Sequence, residues 1–146
     1  MTVLLDLEWT GDSLKSLTQL SAIRVDAAWN ITAEFNALVN PGDSRLAPKN
    51  ALPFGGYDIA LFASGLTEKE CIRKLERWLR PDDEIWVWAK SNQDFLADLW
   101  YQNAKQLRPT VLSLARSVRK CIEWDCSSMN PYGILAFLGE QTPEPE

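Results

Sequence analysis

Thr2-Val-Leu-Leu-Asp-Leu-Glu-Trp9 is an apolar run broken twice near its end by a carboxylate, Asp6 and then Glu8. It reads as a buried β-strand. Side chains alternate along a strand, so Asp6 and Glu8 face the same side. Two carboxylates held together in a half-buried place repel each other and resist desolvation. A divalent cation beside them relieves both costs, and a donor set of hard oxygens points to Mg2+ or Mn2+. The plainer alternative is a strand at the rim of a sheet, with both carboxylates wet or salt-bridged.

Outward from this strand, residues 20–25 and 29–39 read as two more strands joined by the turn Asp26-Ala-Ala28, so the chain opens as an antiparallel meander. Residues 41–64 hold three prolines and three glycines and read as a long loop. Thr67-Glu-Lys-Glu70 is a capping box that starts a helix with Cys71, Ile72, Leu75, Trp78 and Leu79 on one face. Pro81-Asp-Asp83 stops it. Residues 84–89 form a fourth strand, parallel to the first because a helix crosses between them. Ser91 or Asn92 caps a second helix that turns Phe95, Leu96, Leu99 and Trp100 inward. A fifth strand over 109–113, a short helix through Val118 and a last helix from Asn130-Pro131 to near Gly139 complete the order. The fold class is α/β, a mixed sheet flanked by helices. Residues 1–140 form the domain and 141–146 a disordered tail.

The chain has 146 residues, 46% hydrophobic and 24% charged, which suits one soluble globular domain. No run of about 18 apolar residues exists to span a membrane. Asp6 interrupts the place where a signal peptide would stay apolar, so a cytoplasmic protein is expected. The absence of histidine excludes Ser-His-Asp triads, Cys-His dyads and zinc sites that use histidine. The three cysteines, Cys71, Cys121 and Cys126, lack CxxC spacing and read as reduced thiols. A net charge of −5 argues against binding nucleic acid by bulk charge alone. The stretch from Leu99 to Ile122 nevertheless holds five bases (Lys105, Arg108, Arg116, Arg119, Lys120) and no acid. It is either a solvated helix face or a patch for phosphate contacts. Of the seven tryptophans, Trp78, Trp86, Trp88 and Trp100 fall at core positions.

Several stretches together resemble the DnaQ-like (DEDD) 3′–5′ exonucleases. They are Leu5-Asp-Leu-Glu-Trp-Thr-Gly11, Gln19-Leu-Ser-Ala-Ile-Arg-Val25 and Phe35-Asn-Ala-Leu-Val-Asn-Pro41, then Ser64-Gly-Leu-Thr67 and Trp86-Val-Trp88. The resemblance runs from residue 2 to about 140. It implies a ribonuclease H-like fold and two-metal phosphodiester hydrolysis at single-stranded RNA or DNA 3′ ends, with cations about 4 Å apart. Asp6 and Glu8 are then the first-motif metal ligands. Thr10 and Gly11 help the loop approach the terminal nucleotide, and Trp9 and Leu66 pack against its base or sugar.

The chain departs from that pattern in two places. Counting without a gap puts Asn92 at the second-motif position, whereas a small insertion puts Asp94 there. Asn brings a carbonyl ligand but no charge. Asp94 in a helix's first turn also has a plain role there, favouring the dipole. The third motif has no match: Tyr132 is followed four residues on by Ala136, and Asp125 comes too early. This reads as a domain lacking its last helix, truncated or inactive, or completed by a second copy or another protein segment. The expected function is a metal-dependent 3′–5′ exonuclease. The alternative is a non-catalytic module of that kind that binds nucleic acid or a protein partner.

Overall fold

The computed structural model describes residues 1–10, 15–42, 62–105 and 109–122, with side chains to 118. In chain order come β1 (Thr2–Thr10), β2 (Ser16–Val25), β3 (Ile31–Leu38), α1 (Glu68–Trp78), β4 (Glu84–Val87), α2 (Lys90–Asn103), β5 (Val111–Ser113) and α3 (Leu114–Ile122). The five strands make one mixed sheet in the order β3-β2-β1-β4-β5. The β1–β2 and β2–β3 pairs are antiparallel, and β1–β4 and β4–β5 are parallel. The meander and crossover expected from the sequence are both present, and β1 is the central strand.

The alternation of β1 decides which face is dry. Val3, Leu5 and Leu7 are buried with Leu20, Ala22, Ile85, Val87 and Val111 from neighbouring strands. α1 covers them with Cys71, Ile72 and Leu75, and α2 with Phe95, Leu96, Leu99 and Trp100. Burial pushes the Cys71 thiol up to about 12, which keeps it protonated and inert. On the opposite face Leu4 lies in register with Ile23 and Trp86, and Trp86 with Leu112. These four are half-buried.

Several boundaries differ from the expectation, among them β5, which starts at Val111 rather than residue 109, and α3, which runs on to Ile122 rather than ending at Val118. β2 begins at Ser16, four residues early, because a register shift opposite Glu8 and Trp9 lets the strand continue past Thr18. β3 begins at Ile31, because Trp29 adopts φ 64° in a turn. There the Asp26 carboxylate accepts the Ala28 and Asn30 N–H groups at 2.8 and 2.9 Å. β4 ends at Val87 rather than at residue 89. The residue before α2 is Ala89, so neither Ser91 nor Asn92 is its cap. Asn92 instead reaches back, its Oδ1 accepting the Ala89 N–H at 3.4 Å.

Arg24 joins the sheet to the α1–β4 connection. Its guanidinium grips Asp83 through Nε (3.0 Å) and Nη2 (2.7 Å), donates to the Trp78 carbonyl at 2.7 Å and lies over the Trp78 ring. Both charged side chains are almost fully buried. No helix among the described residues is long and apolar enough to cross a membrane. Gly11, Arg108, Trp124, Asp125, Cys126, the expected last helix with Tyr132, the 141–146 tail and most of the 41–64 loop lie outside the described residues. So do the side chains of Arg119, Lys120 and Cys121.

Candidate functional site

The parallel pairing of β1 with β4 stops at Leu4–Trp86. Asp6 lies two residues past Leu4 and Trp88 two past Trp86, so both stand beyond the β1–β4 pairing, at one edge of the sheet. This is the carboxyl edge of the parallel strands, where α/β folds place their ligands. α2 and α3 begin there, directly after β4 and β5, and α1 begins next to Leu66, which hydrogen-bonds the end of β3. Three helix N-termini, each with partial positive charge, therefore collect at this edge.

Asp6 and Glu8 are exposed and point away from the α1–α2 core. They are not at the sheet's rim, since β1 is flanked by β2 and β4. The carboxyl of Glu8 is raised above its ordinary value of 4.5, first by burial and then by the charge of Asp6. The two acids thus feel each other. β2 supplies the cross-strand neighbours: Ser21 is opposite Asp6 and Gln19 opposite Glu8. Gln19 Nε2 lies 3.4 Å from Ser21 Oγ, so two polar side chains flank the acidic pair. Sequence reasoning assigned neither a role. The period-two alternation of β2 would have exposed both once its register against β1 was known.

The other expected residues fall as follows. Trp9, next to Glu8 on the strand, faces the opposite side. It meets Phe95 edge-on at 5.3 Å, with Lys15 Nζ 4.5 Å above its ring. Thr10 is buried at the end of β1, paired with Ser16. Leu66 is at the same sheet edge as Glu8. Its N–H donates to Leu38 O at 2.9 Å, and Leu38 pairs with Gln19, which pairs with Glu8. Asn92 is buried and committed to Ala89. Asp94 is exposed and bonded to Lys90 at 2.6 Å. Among the described residues no three His, Cys, Asp or Glu side chains gather as a metal site, so Asp94 does not join Asp6 and Glu8. The donors present at the pair are two carboxylates, a hydroxyl and an amide. All are hard, and they suit a single Mg2+ or Mn2+.

The basic stretch is divided by the fold. Lys105 follows the far end of α2, and its N–H donates to Glu76 on α1. Arg116 sits in the first turn of α3, at the edge where Asp6 emerges.

No family model matches the chain, and no curated protein is found to be similar to it. Solved structures do match. One is the nuclease domain of 3′hExo, a DEDDh family member, bound to rAMP. It has a TM-score of 0.82 at 12% identity over 99% of this chain and 81% of that one. A second is a 3′-exonuclease in a structure of 3′-end-specific recognition of a histone mRNA stem-loop. It has a TM-score of 0.80 at 11% identity over 99% of this chain and 56% of that one. E. coli exonuclease I in complex with a dT13 oligonucleotide gives 0.67 at 20% identity, over 88% of this chain and 31% of that one. The chain thus spans most of the first, about half of the second and under a third of exonuclease I. The shared architecture is that of ribonuclease H-like exonuclease domains.

Proposed function

We propose that the chain is a 3′–5′ exonuclease-like domain that receives single-stranded RNA or DNA ends at the carboxyl edge of its sheet. The observation behind this reading is the Asp6–Glu8 pair. It stands on the central strand, beyond the end of β4, with Glu8 raised by burial and by Asp6. A fold alone never supplies a function. Here the fold and the one acidic pair at its ligand edge point the same way.

Asp6 and Glu8 are the ligands of a divalent cation, which when bound would polarise the terminal phosphate and acidify a water. In the reaction water adds to phosphorus and the bond to the preceding 3′ oxygen breaks. A nucleoside 5′-monophosphate leaves, and the shortened strand keeps a 3′-hydroxyl. Gln19 and Ser21 flank the carboxylates and orient their oxygens. Thr10, Gly11 and Leu66 approach the terminal nucleotide, and Trp9 buttresses the strand end through Phe95. Of the two second-motif candidates, Asp94 alone is charged and solvent-accessible, and joining the pair costs it the Lys90 contact.

The test is hydrolysis of a 5′-labelled single-stranded oligonucleotide with Mg2+ or Mn2+. Stepwise shortening from the 3′ end, abolished in Asp6→Ala, is the expected result. Absence of shortening with wild-type chain removes the catalytic reading. A second reading, a non-catalytic module that binds such ends, is favoured by Asn92 being tied to Ala89 and Asp94 to Lys90. It predicts oligonucleotide binding without shortening.

A further inference from the structure

The acidic pair explains the capture of a cation but not the approach of a polyanion to a chain of net charge −5. Outside Leu99–Ile122 the chain carries 20 acids against 10 bases, so most of its surface repels phosphate. Lys105 follows the end of α2 away from Asp6 and Glu8, and its N–H donates to Glu76. α3 is placed differently. Its Ala115 N–H donates to Trp88 O at 2.9 Å, and Ser113 Oγ donates to the same carbonyl at 3.1 Å. The first turn of α3 is therefore fastened to the end of β4, next to where Asp6 emerges. β5 is two strand spacings from β1, about 10 Å. Positions 116, 119 and 120 are spaced i, i+3, i+4, so the helical register puts three basic positions on one side of α3. Arg116 is exposed, and none of the ion pairs among the described residues involves it.

We infer that α3 is a phosphate track: Arg116, Arg119 and Lys120 hold the backbone of a single-stranded nucleic acid 5′ of the nucleotide that reaches Asp6 and Glu8. The inference rests on the proposed function, because it takes the strand's 3′ end to be at the acidic pair. The contacts are with phosphates, so they carry affinity and salt dependence without sequence preference.

The test is fluorescence anisotropy of a 5′-fluorescein oligonucleotide titrated with full-length chain over a range of salt concentrations, with Ca2+ present. Arg116→Glu/Arg119→Glu should weaken binding at least about tenfold and lower the log–log salt slope by about 1.4, two phosphate contacts at about 0.7 each. The neutral Arg116→Gln/Arg119→Gln should fall between the two, which guards against a misfolded charge-reversal variant. Lys105→Glu should stay within about twofold of wild type, since bulk charge alone does not make the track. If wild type binds and the α3 variants keep its affinity and slope, the track is overturned while the proposed function stands. An equal loss in Lys105→Glu also overturns the track. A wild-type chain that binds no oligonucleotide overturns both.

Discussion

Glu8 is a carboxylate that the fold holds at a cost. Its proton is bound more tightly in the folded than in the unfolded chain, because burial and Asp6 both disfavour the charge. Its contribution to stability is therefore fully present below the ordinary value of 4.5 and is lost as pH rises through the raised folded value. Glu8→Gln should accordingly melt slightly higher than wild type at pH 7 in metal-free buffer, and should lose the further rise in Tm that Mg2+ gives wild type. Thermal melts with and without Mg2+ check both. Asp83 behaves in the opposite sense. Burial raises its carboxyl, but the Arg24 hydrogen bonds, the Arg80 N–H and the Arg24 charge outweigh that and hold it below the ordinary 3.8. Its stabilisation is complete above 3.8 and is lost as pH falls through the folded value. Arg24→Met strips the buried Asp83 carboxylate of its guanidinium, leaving the Arg80 N–H at 2.9 Å and the N-terminal ammonium at 3.9 Å, and urea unfolding at pH 7 should show a loss of about 3 kcal/mol. The sequence made Asp6 and Glu8 conspicuous, since two acids in an apolar strand demand a reason. Arg24 and Asp83 stayed hidden, because their meeting depends on register and on a crossover that brings together residues 59 apart in the chain.

At the scale of elements, the carboxyl edge is built by backbone contacts as much as by side chains. Leu66 bridges to Val39, with its N–H on Leu38 O and its carbonyl accepting the Asn40 N–H. This clasp sets where α1 begins. It needs glycine at 65: a Cβ there would meet Asn40 N, Leu38 O and Val39 C at 2.9 Å, all backbone. Gly65→Ala should cost about 1–3 kcal/mol in denaturant unfolding. It should also disturb the amide signals of residues 38–40 in preference to those of β4. The Thr67–Glu70 box was readable because it is local: Glu70 N–H donates to Thr67 Oγ1, and Thr67 N–H to Glu70 Oε2. The early start of β2 was not readable. The bulge opposite Glu8 and Trp9 depends on the register in which β2 pairs back onto β1, which residue types along the strand do not specify. Asn92 was readable as a capping residue of α2 but not in its place: it serves from the third helical position, its oxygen turned back to the Ala89 N–H.

For the whole molecule, the strand order brings Asp6, Glu8, Gln19, Ser21, Leu66 and the starts of three helices to one side. The mixed sheet followed from alternation and crossover logic, and the solved exonuclease domains share it at TM-scores up to 0.82. The unevenness of charge was also visible in the sequence, but its division between the two ends of the molecule was not, since α2 separates Lys105 from Arg116 by its own length. The account depends most on the acidic pair binding a cation at this edge. Mn2+ added below stoichiometry to isotopically labelled chain tests it through paramagnetic broadening of backbone amide signals. The expected pattern is broadening centred on Asp6, Glu8, Gln19 and Ser21, abolished by Asp6→Asn. Broadening centred elsewhere, or undiminished in that variant, would contradict it.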